Sequence, residues 1–173
     1  MSLSRPCVSR LLLLSLLVAP GQALLGQGAP QSVMVLVTPA DAMILAQEAL
    51  DNAPLAFAVT LKRIQLFPPQ ARVQASVAGT CDITLDGTPV LSGGRIAISQ
   101  PKEYRDGWSC AAVPELRPQA WDLAQRLQRA SCDPALPGPR LPSRKCLAAG
   151  AVQLKSISVQ ADGMHAVVVV SSP

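Results

Sequence analysis

Apolar and polar positions alternate from Arg72 to Asp86. Val73, Ala75, Val77, Gly79, Cys81, Ile83 and Leu85 fall on one side, and Arg72, Gln74, Ser76, Thr80, Asp82, Thr84 and Asp86 on the other. Only Ala78 interrupts the polar column. Period two over this length predicts one long strand with one face in the core and one in water. Upstream, residues 33–37 read VMVLV, a short β-branched run that predicts a buried strand. A helix follows: Thr38 offers an N-cap, Pro39 suits the first helical position, Asp41 can accept from first-turn amides, and Pro54 ends the run. Its apolar stripe, Ala42, Leu45, Ala46, Ala49 and Ala53, is thin and made mostly of small residues, which suits close packing on a sheet.

In FAVTLKRIQLF, residues 57–67, Phe57, Val59 and Leu61 alternate before the apolar phase slips by one to Ile64 and Leu66. A bulge near Lys62 and Arg63 accounts for the slip. Pro68 and Pro69 then turn the chain, and Asp86 and Gly87 predict a hairpin turn. The return passes through Val90 and Leu91 and then runs from Arg95 to Ser99, with Ile96 and Ile98 inward. Pro118 is expected to open a second helix reaching Ser131, with Ala120, Leu123, Ala124, Leu127 and Ala130 inward and Arg126 and Arg129 outside. Residues 152–160 and 164–170 predict a last hairpin about Asp162 and Gly163, β-branched enough to lie centrally in the sheet. LKRIQL at residues 61–66 matches LKSISV at 154–159, with the same phase slip after a helix, so two helix-then-hairpin units would account for the order of parts. The predicted fold class is α+β: a curved antiparallel sheet packed against two short helices.

The N-terminus changes the setting. Arg5 and Arg10 precede an apolar run from Leu11 to Ala19, and small residues follow up to Ala23, so residues 1–23 read as a signal peptide. That run is well short of the roughly 20 residues needed to span a bilayer, and no later segment is long enough, so no transmembrane span is expected. The expected product is a secreted or periplasmic chain over residues 24–173 with one domain. Cys7 precedes the apolar run and is expected to leave with the peptide. Losing Arg5 and Arg10 takes the formal charge from +4 to +2, which removes the electrostatic case for nucleic acid. Positive charge gathers between Arg117 and Cys146, a face that suits solvent or an acidic surface.

Four cysteines, Cys81, Cys110, Cys132 and Cys146, remain, with no C-x-x-C spacing, so disulfides are expected and a metal site is not. Three connectivities are open. Pairing Cys81 with Cys110 and Cys132 with Cys146 is preferred, because the second bridge would close the Pro-rich loop 132–146, DPALPGPRLPSRK between the cysteines, which has little apolar content to hold it down. His165 is the only histidine and sits at a strand end. Asp82 and Asp86 share a polar strand face, and no nucleophile motif, phosphate loop or dinucleotide fingerprint occurs. A non-enzymatic binding protein without cofactors is therefore expected. The candidate contacts are Tyr104 and Trp108, which flank the charged loop YRDGW, together with Arg126 and Arg129.

Two resemblances bear on what is bound. The segments TPADAMILAQEALDNAPLAF, LKRIQLFPPQARVQASVAG, LSGGRIAI and LKSISVQADGMHAVVVV give an order of parts that resembles the small bacterial envelope proteins of the tubular lipid-binding (TULIP-like, SMP-like) class. The likeness is one of pattern over most of the chain after residue 23, with no signature residue. It implies a helix laid along a curved sheet with a lipid or other hydrophobic ligand beneath it. The expected function is to bind that ligand, or an envelope protein partner, in envelope maintenance. The chain departs from those lipoproteins in lacking an acylated cysteine. QASVAG, residues 74–79, resembles the Q-x-V-x-G inhibitory loop of the cystatins, although Ala75 stands at the glutamine place and Gln74 is one residue early. The alternation assigns the hexapeptide to the interior of a strand. A cystatin-like protease inhibitor and a structural component of a secretion or surface complex are the alternative functions.

Overall fold

The computed structural model describes residues 29–107, 109–115, 117–142 and 145–171; the expected signal peptide lies outside the described residues. β1 (Gln31–Val37) leads into α1 (Pro39–Asp51). Thr38 Oγ1 accepts from the Asp41 amide at 3.2 Å, and Asp41 Oδ2 accepts from the Thr38 amide at 3.0 Å, a reciprocal cap that fixes where the helix starts. Ala42, Leu45 and Ala46 turn into the core.

β2 (Val59–Phe67) and β3 (Gln70–Val77) form a hairpin around Pro68 and Pro69. Its register shifts between Leu61 and Arg63, where the apolar phase slips in the sequence. The last two strands, β6 (Val152–Gln160) and β7 (Gly163–Val170), shift register between Leu154 and Ser156, the corresponding place in the second hexapeptide. Each of the two hairpins thus carries a bulge at its Leu-Lys step.

The alternating run from Arg72 to Asp86 is not one strand. It divides into β3 and β4 (Cys81–Ser92), which turn through Ala78, Gly79 and Thr80. Val77 pairs with Cys81, and an even step of four positions keeps both on one face, so period-two alternation passes through the hairpin without a slip. Ala78, the single break in the polar column, has φ 51°, and Gly79 has φ 72°. The Asp86-Gly87 step is likewise not a turn. β4 runs through it with a register shift between Asp86 and Thr88, and β5 (Arg95–Asp106) returns after Gly93 and Gly94, at φ 55° and 77°. Positive φ at both central residues gives the twist a two-residue hairpin needs. Gly87 instead allows close approach: a Cβ there would lie 2.4 Å from Ile98 Cγ2 and 2.8 Å from the Ser99 carbonyl.

α2 (Leu123–Cys132) begins later than Pro118, leaving Ala120 outside the helix. Trp121 exchanges two backbone hydrogen bonds with Ile96, at 2.9 and 2.7 Å, which holds the approach to the helix extended along β5. Asp122 then caps the helix, its Oδ1 accepting from the Gln125 amide at 2.9 Å.

The fold is α+β, with its strands in two antiparallel sheets where one curved sheet was expected. One sheet has the order β1-β7-β6, the other β2-β3-β4-β5. The division follows from pairing, because β1 pairs with β7 while β5 meets Trp121 of the segment before α2. β7 is central as predicted, but its hairpin partner β6 is an edge. Val35, Val37, Met164 and Val168 of the first sheet, Ile64 and Ile96 of the second, and Leu45, Leu123 and Leu127 of the helices share one buried cluster.

Candidate functional site

The structure bridges Cys81 to Cys110 and Cys132 to Cys146, with Cα separations of 4.9 and 4.2 Å. The first bridge is buried and belongs to a small second cluster with Val77 and Ile83. It ties the start of β4 to the short turn after β5. The second has both cysteines exposed and anchors the 132–146 loop to the end of α2.

The candidate binding residues do not form one site. Tyr104 is exposed on β5 and pairs with Thr84 on the outer face of the four-stranded sheet, away from the helices. That face is covered with ion pairs. Lys62 Nζ contacts both Asp82 oxygens at 2.7 and 2.6 Å, and Arg72 Nε and Nη2 donate to the two Asp86 oxygens at 2.7 Å each. The bonds from Lys62 and Arg72 hold both carboxyls below the usual carboxylate range. At the turn between β6 and β7, His165 bonds Asp162 at 2.8 Å and lowers that carboxyl's pKa in the same way. Trp108 lies outside the described residues.

Arg126 and Arg129 do come together, on Glu48 of α1. Arg126, expected on the outside of α2, is instead 1% exposed. Its Nη1 donates to Glu48 Oε1 and its Nη2 to the Pro137 carbonyl, while Arg129 Nη2 reaches Glu48 Oε2 at 3.1 Å. Arg126 is buried because α1 and the 132–146 loop close over that side of α2, a consequence of the Cys132–Cys146 bridge that helical periodicity does not contain. Its Nε has no hydrogen-bond partner among the described residues and faces Gly138. Glu48 and Arg129 line a polar groove of about 400 Å³ between α1 and the approach to α2, together with Arg95 and Asp122, which are 3.3 Å apart; Arg126 lies beneath and does not line it.

An apolar cavity of about 60 Å³ lies beside the groove. Ala46 and Leu50 of α1 stand over Leu61 of β2, Val73 of β3 and Ile98 of β5, and Trp121 closes one side. The small residues of the α1 stripe are what let the helix come this near to the sheet. The chain matches no family model, no curated protein and no solved structure. The site therefore rests on geometry alone. Gln119 lines both the cavity and the groove, and Arg117 is the one charged residue among the described residues that line the cavity. Sequence reasoning missed Glu48, Gln119 and Trp121. Glu48 had no signal beyond being a carboxylate on a helix, whereas Trp121, one of two tryptophans, had aromatic scarcity.

Proposed function

We propose that this chain is an exported, non-enzymatic binding protein that holds a hydrophobic ligand between α1 and the four-stranded sheet. The observation that supports this reading is the apolar cavity at that junction, with Arg117 and Gln119 as the polar residues among the described ones that line it. Ligand sites have this form, with apolar walls and a few orienting polar side chains. A volume of about 60 Å³ is small against the roughly 300–1,000 Å³ of drug-sized pockets. The ligand is then a short apolar group, or a longer one admitted when α1 lifts from the sheet. Two disulfides, and the lack among the described residues of a helix long and apolar enough to cross a membrane, agree with a secreted or periplasmic setting. The resemblance to the tubular lipid-binding envelope proteins points to lipid. Mass spectrometry of gently extracted protein is expected to find a co-purified lipid. Protein that carries none, and takes up none from an added lipid extract, would sink the proposal.

The protease-inhibitor reading has one observation in its favour. Ala78 and Gly79, the last residues of QASVAG, lie in an exposed hairpin turn and not inside a strand, while Gln74, Ala75 and Val77 stay in β3. Assay against papain-type proteases decides it, and no inhibition at high micromolar protein removes it. A structural role in a surface complex predicts a stable protein partner with neither lipid nor inhibition.

A further inference from the structure

The ligand class of the cavity can be read from what stands at its edge. Among the described residues its walls are apolar except for Gln119 and Arg117. Arg117 is exposed and forms no ion pair among the described residues, although its carbonyl accepts from Gln119 Nε2 at 3.3 Å. The other arginines nearby are committed: Arg95 to Asp122, and Arg126 and Arg129 to Glu48. Among the described residues that line the groove beyond Gln119, Arg95 and Arg129 are balanced by Asp122 and Glu48, so Arg117 is the charge left over. An apolar recess whose lining includes an exposed arginine with no ion-pair partner among the described residues complements a molecule that is apolar at one end and negative at the other.

Resting on the binding function proposed above, we infer that the ligand is a single-chain amphiphile with a monoanionic head of the fatty-acid class. Its tail enters between Leu50, Leu61, Val73 and Ile98, and its head is held at Arg117 beside Gln119. A carboxylate accepts two parallel N–H bonds from a guanidinium, which gives direction as well as attraction. A neutral ligand would leave Arg117 without a role, and a polyanion would have no use for the recess. The cavity's size limits the buried part to a short run of methylene groups, with the rest lying along the seam between α1 and residues 117–121.

The test compares octanoate with octanol, both below any aggregation threshold, by following the amides of Ala46, Leu61 and Val73 in a heteronuclear NMR titration of the chain. Octanoate is expected to bind roughly tenfold more tightly, the worth of one charge-assisted contact. The preference should shrink in high salt. Arg117→Gln is expected to abolish it and Arg117→Lys to keep part of it, with each variant melting as the wild type does. Equal binding of the two ligands, or a preference that survives Arg117→Gln, overturns the anionic head while leaving the apolar site standing. If neither ligand moves the cavity amides, the site itself falls and the binding function with it.

Discussion

Arg126 and Glu48 join the two helices through a guanidinium that is almost wholly buried. Because Arg126 Nη2 also holds the Pro137 carbonyl, one side chain links α1, α2 and the 132–146 loop. Removing the carboxylate would leave a buried charge with one carbonyl partner. Glu48→Ala is expected to cost about 3 kcal/mol in urea denaturation. Replacing the pair together, as Glu48→Leu with Arg126→Met, should recover most of that loss, since no buried charge then remains and Arg129 is exposed to water.

The two disulfides should differ in reactivity because they differ in exposure. Graded reduction followed by alkylation and mass spectrometry is expected to label Cys132 and Cys146 first, with Cys81 and Cys110 protected until the chain unfolds. Replacing both Cys132 and Cys146 by serine should lower stability by about 3 kcal/mol, the chain-entropy value for a loop of this size.

The hairpin between β3 and β4 makes its own demands. Ala78 carries a positive φ that an L-residue adopts at a cost, so Ala78→Gly is expected to raise stability by about 0.5 kcal/mol. Gly87→Ala should lower it by more than about 2 kcal/mol, because the added methyl meets Ile98 and the Ser99 carbonyl. On the strand itself, Val77→Ala is expected to cost about 2 kcal/mol and Gln74→Ala less than about 0.5 kcal/mol. Thermal or chemical denaturation of the four variants checks the ranking.

Asp86 links stability to pH. Its folded pKa lies below the unfolded value because Arg72 donates to both oxygens. A group depressed in this way contributes stability above its unfolded pKa, near 3.9, and loses that contribution as pH falls through the folded value. Wild type should therefore exceed Arg72→Gln in stability by a constant margin above about pH 5, with the two converging well below pH 4. Equal stability at neutral pH, or a margin that grows in acid, would contradict the assignment.

Local chemistry was legible wherever the signal is carried by neighbours in sequence. The α1 cap was written in Thr38, Pro39 and Asp41, and the β2 bulge in the phase slip at Lys62 and Arg63. Long-range choices were not. The β3–β4 turn was masked because an even step from Val77 to Cys81 preserves the alternation, leaving Ala78 as its one local trace. The start of α2 depended on Trp121 being taken up by Ile96, and β1 had to choose β7 over its own neighbours.

By itself the sequence determined the alternation of faces, the helix cap, both bulges and four cysteines suited to bridging, because each depends on residues a few positions apart. The tertiary structure alone decided that the strands divide into two sheets, that Arg126 is buried against Glu48, and that Arg117 and Gln119 stand at an apolar cavity under α1. Those outcomes depend on which surfaces meet. Periodicity states which face of an element is apolar, and the partner that covers it is chosen only when the whole chain has packed.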